Sequence, residues 1–213
     1  MRTPIDIKSL RDTALAVSNG PFNVHDNLKG LSVDELKEIS LSDRLPWHTL
    51  CLNLTGDLNI GTIIRTSHCM GATSVIIFGR RKIDNRGIVG SDNYIRVERI
   101  SAVDEKLIYD TNLFVSYLKE KNLTPVFVET GGILLSSINW KTIIKNIHET
   151  GNEICLIMGN ETDGIPTDIL NVISEFPNSF KVSIPQRGVI RSVNVSVAHA
   201  MIVSNMCSSM EWF

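Results

Sequence analysis

The stretch Glu153–Ile173, EICLIMGNETDGIPTDILNVI, decides the architecture of this chain. It opens on a short apolar run, Ile154 to Met158, with no polar alternation. Such a run suits a strand covered on both faces. The run breaks at Gly159 into a loop that ends at Gly164 and carries the carboxylates of Glu161 and Asp163. Glycine permits positive φ and lets another group approach the backbone closely. Pro166 then stands where a helix accepts proline, in its first turn, and Thr167 to Ile173 reads as that helix. Glu161 falls at the carboxyl end of the strand, where binding and reacting groups collect in α/β sheets, although a plain strand–helix loop would look the same in isolation.

The same unit recurs outward in both directions. TLCLNL, SVIIFG, TPVFVE and FKVSI are further short runs rich in Val and Ile. Between the runs lie helix-like stretches at Ile60–Met70, Asp110–Lys121, Ser137–Ile147 and Ser192–Ser209. Alternation of this kind predicts an α/β fold with a mostly parallel sheet flanked by helices, here over residues 46–213. Residues 1–45 read differently. Ile5–Val17 has helical spacing, the segment SNGPFNVHDNLKG is a loop, and Ser32 with Glu35 forms a capping-box pattern that opens a helix over 33–39. These residues read as a short N-terminal helical arm on the 46–213 domain.

Composition and charge exclude several classes. Lys plus Arg is 21 against 23 Asp plus Glu, a net charge of −2, which argues against a uniformly basic nucleic-acid coat but not against a local basic face. Residues 60–99 hold Arg65, Arg80, Arg81, Lys82, Arg86, Arg96 and Arg99 against three acids, and 181–192 hold Lys181, Arg187 and Arg191 against none. Residues 100–180 reverse this, with five basic groups against eleven acidic. If the two basic segments share a face, they suit a phosphate backbone; an ordinary solvated surface explains the charge alone equally well. No apolar run reaches the roughly 18 residues of a membrane span. The start, MRTPIDIKSLRD, mixes charges too early for a secretory signal. Cys51, Cys69, Cys155 and Cys207 form no CxxC pair and read as reduced thiols of a cytoplasmic protein, in which the Asn-x-Ser/Thr triplets at Asn53, Asn122, Asn160 and Asn194 carry no meaning for glycosylation. The dinucleotide fingerprint, the nucleophile elbow and the zincin motif are missing. Gly159 and Gly164 have Walker A spacing, but Ile165 stands where lysine is needed. The five histidines are scattered, so no metal site is expected.

Two further segments accompany the Glu161 loop. Asn59-Ile60-Gly61-Thr62-Ile63-Ile64-Arg65-Thr66 follows the strand TLCLNL; Asn59 reads as a helix cap, and Arg65 is a planar fork suited to phosphate. Ile184-Pro185-Gln186-Arg187-Gly188 ends another strand and leads to Ser192-Val193-Asn194-Val195-Ser196-Val197-Ala198, whose small polar residues can bond backbone or ligand at a helix start. In order and spacing the three segments resemble the signature motifs of the SpoU/TrmH family in the SPOUT superfamily of RNA methyltransferases. The resemblance covers about residues 46–210, and Gly79–Ile95 is similar, less sharply, to the linker after that family's second strand.

The resemblance implies transfer of a methyl group from S-adenosylmethionine to a ribose 2′-hydroxyl of tRNA or rRNA, a C-terminal trefoil knot that holds the cofactor, and a homodimer. It implies that Gly159, Ile184 and Val193, with Thr130 or its neighbours in Glu129–Gly132 at the end of TPVFVE, lie against the cofactor. Asn59, Arg65, Glu161, Ser192 and Asn194 match the polar positions around the reaction centre. The family usually has Leu where Val193 stands, and Arg191 is a less usual neighbour of Ser192. An apolar stripe on the last helix, Val193, Val197, Met201, Ile202 and Met206, is divided between core and a dimer surface. Lys8 and Arg11 of the arm are placed on the RNA. Two other readings of the same residues are methylation of another RNA position and a silent RNA-binding or assembly protein.

Overall fold

The computed structural model describes residues 24–52, 54, 57–79, 87–88, 90–101, 108–190 and 192–212, with Asp57 by its backbone alone. The helix read over Ile5–Val17 with Lys8 and Arg11, the turn at Thr55 and Gly56, and the basic residues Arg80, Arg81, Lys82, Arg86 and Arg191 lie outside the described residues.

The chain runs α1 (Val33–Ser42), β1 (Leu45–Leu52), α2 (Asp57–Cys69), β2 (Ala72–Phe78), β3 (Arg96–Ile100), α3 (Thr111–Glu120), β4 (Leu123–Leu134), α4 (Trp140–Glu149), β5 (Glu153–Met158), α5 (Thr167–Asn171), β6 (Phe180–Ser183) and α6 (Val195–Ser209). The strands form one six-stranded sheet in the order β3-β2-β1-β5-β4-β6. Every pairing in it is parallel.

The sheet is buried on both faces, as its apolar strands require. Alternate residues of β5 divide between two cores. Ile154, Leu156 and Met158 join Ile60, Ile63 and Ile64 of α2, Trp140, Ile144 and Ile147 of α4, and Ile202, Val203 and Met206 of α6. Cys155 and Ile157 join Phe114 and Leu118 of α3 and Ile169 of α5. Helices thus cover both faces, giving three layers.

Several boundaries differ from the sequence reading, each for a local reason. β3 was not anticipated. It is an edge strand with the sequence RVERI, and its charges, which include the Arg96–Glu98 pair at 2.9 Å, disguise it. α2 begins at Asp57, so Asn59 lies inside the first turn and does not cap it. The last helix begins at Val195, and Asn194 is its cap, accepting from Ser196 N and Val197 N, so Ser192 and Val193 lie before it. α5 is short and continues as a 3₁₀ turn, Val172–Glu175.

The capping box at Ser32 and Glu35 forms as read, but α1 extends to Ser42. α1 is docked on the sheet domain. Leu36 is buried, and Ser40 Oγ donates to the Tyr94 carbonyl at 2.9 Å. Arg44 reaches the same Tyr94 carbonyl and the His68 carbonyl at the end of α2. Burial lowers the Arg44 pKa to about 10 and, with Arg44 beside it, that of His68 to about 4.

Candidate functional site

Connections run outward from β1 through β2 and β3 on one side, while β5, β4 and β6 fill the other. The crevice at the carboxyl ends of β1 and β5 therefore lies where the connections diverge, the position at which open α/β sheets gather ligands. Cys51 pairs with Met158 in register, so the two chain exits sit side by side.

From the β1 exit, α2 presents Asn59; from the β5 exit, the loop presents Glu161. Asn59 Nδ2 donates to Glu161 Oε1 at 2.7 Å. Asn194 Nδ2, at the cap of α6, donates to Asn59 Oδ1 at 3.0 Å. Ser196 Oγ donates to Asn194 Oδ1 at 2.7 Å. The three segments read from the sequence thus meet in one chain of hydrogen bonds, although they lie up to 137 positions apart. Burial, with the Glu161 charge in support, pushes the Cys51 thiol up to about 12.

The Glu161 loop is held tightly. Asn160 and Gly164 exchange N–H···O bonds of 2.9 Å in both directions, and Asn160 Oδ1 accepts from Thr162 N at 2.8 Å. A Cβ on Gly159 would come within 2.5 Å of the Gly164 carbonyl carbon, so no other residue fits there.

An open groove of about 540 Å³ at the β4–β6 side of the sheet is lined by Thr130, Gly131, Leu134, Ser183, Ile184 and the loop Pro185–Ile190 apart from Arg187. That volume falls within the roughly 300–1,000 Å³ of small-molecule sites. One wall comes from an irregularity in β4. Val128 and Ile133 both pair with Val182 of β6, so Glu129–Gly132 bulge out of the ladder. A Cβ on Gly132 would lie 2.5 Å from the Lys181 backbone. The groove mixes the apolar side chains of Leu134, Ile184, Val189 and Ile190 with the hydroxyls of Thr130 and Ser183, which suits a nucleoside-sized ligand with apolar and polar parts.

The structure brings Asn59, Glu161 and Asn194 together, and places Thr130 and Ile184 in the groove. Gly159 is buried behind the Glu161 loop; Ser192 and Val193 are exposed ahead of α6. Arg65 is exposed on α2, about 9 Å along and about 240° around from Asn59, and makes no hydrogen bond or ion pair among the described residues. Glu129 went unread as a separate contributor. Its carboxylate binds Thr130 N at 2.8 Å and Ile165 N at 3.0 Å, contacts that only the β4 bulge creates. The stripe on the last helix splits: Ile202 and Met206 are core, while Val197 and Met201 are exposed. Among the described residues no group of three or more His, Cys, Asp or Glu is placed to hold a metal ion, and no helix is long and apolar enough to cross a membrane.

The SpoU rRNA methylase family matches residues 48–204, well over half of the chain. This protein belongs to the SpoU family. The SpoU chain is 25% identical over 155 residues to the tRNA (guanosine(18)-2′-O)-methyltransferase of Aquifex aeolicus. That alignment takes in 71% of this chain and 64% of the enzyme, just under two thirds of the relative's length. The SpoU fold superposes on the A. aeolicus TrmH/SpoU tRNA modifying enzyme with a TM-score of 0.63 at 19% identity, covering 84% of this chain and 82% of that one. It also superposes on the AdoMet-bound rRNA methyltransferase of Sinorhizobium meliloti, with a TM-score of 0.60 at 22% identity, covering 81% of this chain and 59% of the other.

Proposed function

We propose that this SpoU-family protein transfers a methyl group from S-adenosylmethionine to a ribose 2′-hydroxyl of a structured RNA, a tRNA or an rRNA. The observation that carries the reading is the convergence of Asn59, Glu161 and Asn194 at the sheet edge, on a loop that Glu129 ties to the Thr130 groove wall.

In this reading Thr130 on the β4 bulge, Gly159 after β5, Ile184 after β6 and Val193 ahead of α6 hold the cofactor, largely through backbone groups. The cofactor supplies, when bound, a methyl group on a sulfonium that leaves without acid assistance. The chain has two remaining tasks: to set the hydroxyl in line with that methyl, and to manage one proton. Asn59 and Asn194 fix the orientation of Glu161 through the bonds described above. Glu161 accepts the hydroxyl proton or orients the water that does. A guanidinium is a poor base but a planar fork for phosphate, so Arg65 clamps the adjacent phosphate and stabilises developing negative charge. Ser192, exposed before α6, contacts the ribose–phosphate at the same mouth. The trefoil knot, the homodimer, the cytoplasmic location and RNA contacts from residues 1–45 belong to the same proposal.

Incubation of the purified protein with isotopically labelled S-adenosylmethionine and total tRNA or rRNA, followed by nucleoside mass spectrometry, tests it. Label on a ribose 2′-oxygen is expected. Label on a base would assign another RNA position, and absence of both label and S-adenosylhomocysteine binding would leave an assembly protein with the same fold.

A further inference from the structure

Glu129 stands at the point where β4 leaves its register with β5, directly after the Val128–Met158 pair. Its carboxylate spans two parts of the site. Oε1 accepts from Thr130 N at 2.8 Å and from Thr130 Oγ1 at 3.1 Å, on the bulge that walls the groove. Oε2 accepts from Ile165 N at 3.0 Å, at the far end of the loop that carries Glu161. The fit at Oε2 is close. Gly164 adopts φ +68°, and a Cβ there would lie 2.6 Å from Glu129 Oε2. Only a glycine at 164 admits both the turn and the carboxylate.

These contacts form a continuous path. It runs from Thr130 in the groove wall through Glu129 to Ile165, across the bridge between Gly164 and Asn160, to Glu161, and on through Asn59 to Asn194 at the start of α6. We infer that Glu129 is a positioning residue that clips the groove wall to the Glu161 loop, so that the cofactor groove and the proton-handling carboxylate keep one fixed spacing. The inference rests on the methyltransferase reading given above. It assigns Glu129 no contact with substrate; the residue acts through Thr130 and Ile165.

The chemistry of the clip dictates the variants. Glu129→Gln keeps one oxygen for Thr130 but turns an NH2 toward the Ile165 N–H, so a donor faces a donor. Glu129→Asp is one methylene shorter and cannot reach both partners. Both variants are measured beside the wild type for thermal midpoint, S-adenosylhomocysteine affinity by calorimetry, RNA affinity, and turnover with KM for RNA. Backbone hydrogen exchange over residues 159–165 is followed as well. Faster exchange in that loop is expected, with turnover down roughly 10–100-fold, as for a lost supporting contact of a reacting group, and KM for RNA unchanged. Weaker S-adenosylhomocysteine binding should accompany it. A purely structural role would instead lower the thermal midpoint and RNA affinity together. Wild-type turnover and wild-type loop protection in Glu129→Gln would overturn the inference. A wild-type protein that neither methylates RNA nor binds S-adenosylhomocysteine would overturn the functional reading itself, a separate result.

Discussion

Asn59 uses both ends of its amide, donating from its NH2 to Glu161 and accepting a hydrogen bond from the Asn194 NH2. Asn59→Ala removes both bonds, and with them the amide anchor of the Glu161 carboxylate. Turnover should fall roughly 10²-fold through misplacement of the reacting group, while stability changes by about 1 kcal/mol. Asn59→Asp should be worse, because it sets a second carboxylate against the first. Initial rates at saturating cofactor and RNA, with melting curves, check both; unchanged rates would remove Asn59 from the site. Arg65 is a different kind of residue. It is solvent-exposed on α2, so Arg65→Ala should leave the melting temperature alone and cost turnover roughly 10²–10³-fold, as for a lost charge-stabilising donor. Arg65→Lys should recover little, since an ammonium cannot grip a phosphate in two places. Near-full recovery by lysine at high pH would overturn the clamp. At this scale the sequence was informative where polar residues stand at fixed spacing after a strand, as Asn59, Glu161 and Asn194 do. It placed Glu129 only among the neighbours of Thr130, since a carboxylate closing an apolar run is ordinary until a bulge turns it toward a neighbouring loop.

Among the elements, α2 depends on a contact between backbones. A Cβ on Gly61 would lie 2.9 Å from the Gly87 backbone, and one on Gly87 would lie 3.1 Å from the Leu58 carbonyl. Gly61 is inside a helix, where alanine is normally better by about 1 kcal/mol. Gly61→Ala should nevertheless destabilise, by about 1–3 kcal/mol, because backbone cannot yield as a side chain does. A denaturant titration reads the sign directly; a stabilised variant would show that the Gly87 segment moves aside freely. The glycine is legible in the sequence only as a motif position, and its reason emerges once the Gly87 backbone is seen against the helix. The strands buried on both faces were legible because nothing but apolar residues suits them. β3 was not, for its edge position lets Arg96 and Arg99 face solvent and erases the apolar run. Helix starts shifted by two or three residues wherever a polar residue had two available roles. Asn59 could cap or bond a carboxylate, and the fold uses it for the second.

For the whole molecule, the packing of α6 on β1 sets how stability depends on pH. His199 is fully buried, 2.9 Å from Thr49 Oγ1, with its Nδ1 unpartnered among the described residues. Burial drives its pKa down to about 3. In the unfolded chain it titrates near 6.5, so between about pH 6.5 and 3 the unfolded state binds the extra proton. Stability is therefore intact above pH 6.5 and falls on acidification, by up to about 1.4 kcal/mol per pH unit from this residue. His68, lowered to about 4, adds in the same direction. Urea titrations between pH 5 and 7.5 should show the slope, and His199→Gln, which cannot titrate, should flatten it; an equal slope in the variant would place the acid sensitivity elsewhere.

The other face of α6 bears on assembly. Val197 and Met201 are exposed one turn apart, and α2, which packs on α6, exposes Leu58. Apolar side chains grouped on the helix that begins at the reaction-site cap are the surface on which the proposed homodimer would form, with each site beside its partner. Met201→Glu adds a charge there without touching the core, since the core residues of α6 are Ala198, Ile202, Val203, Met206 and Cys207. The variant should melt like the wild type but run as a monomer by light scattering, and its methyl transfer should fall with the loss of the second subunit. A wild-type protein that is monomeric at working concentration, or a Met201→Glu protein that remains dimeric, would move the interface off this helix.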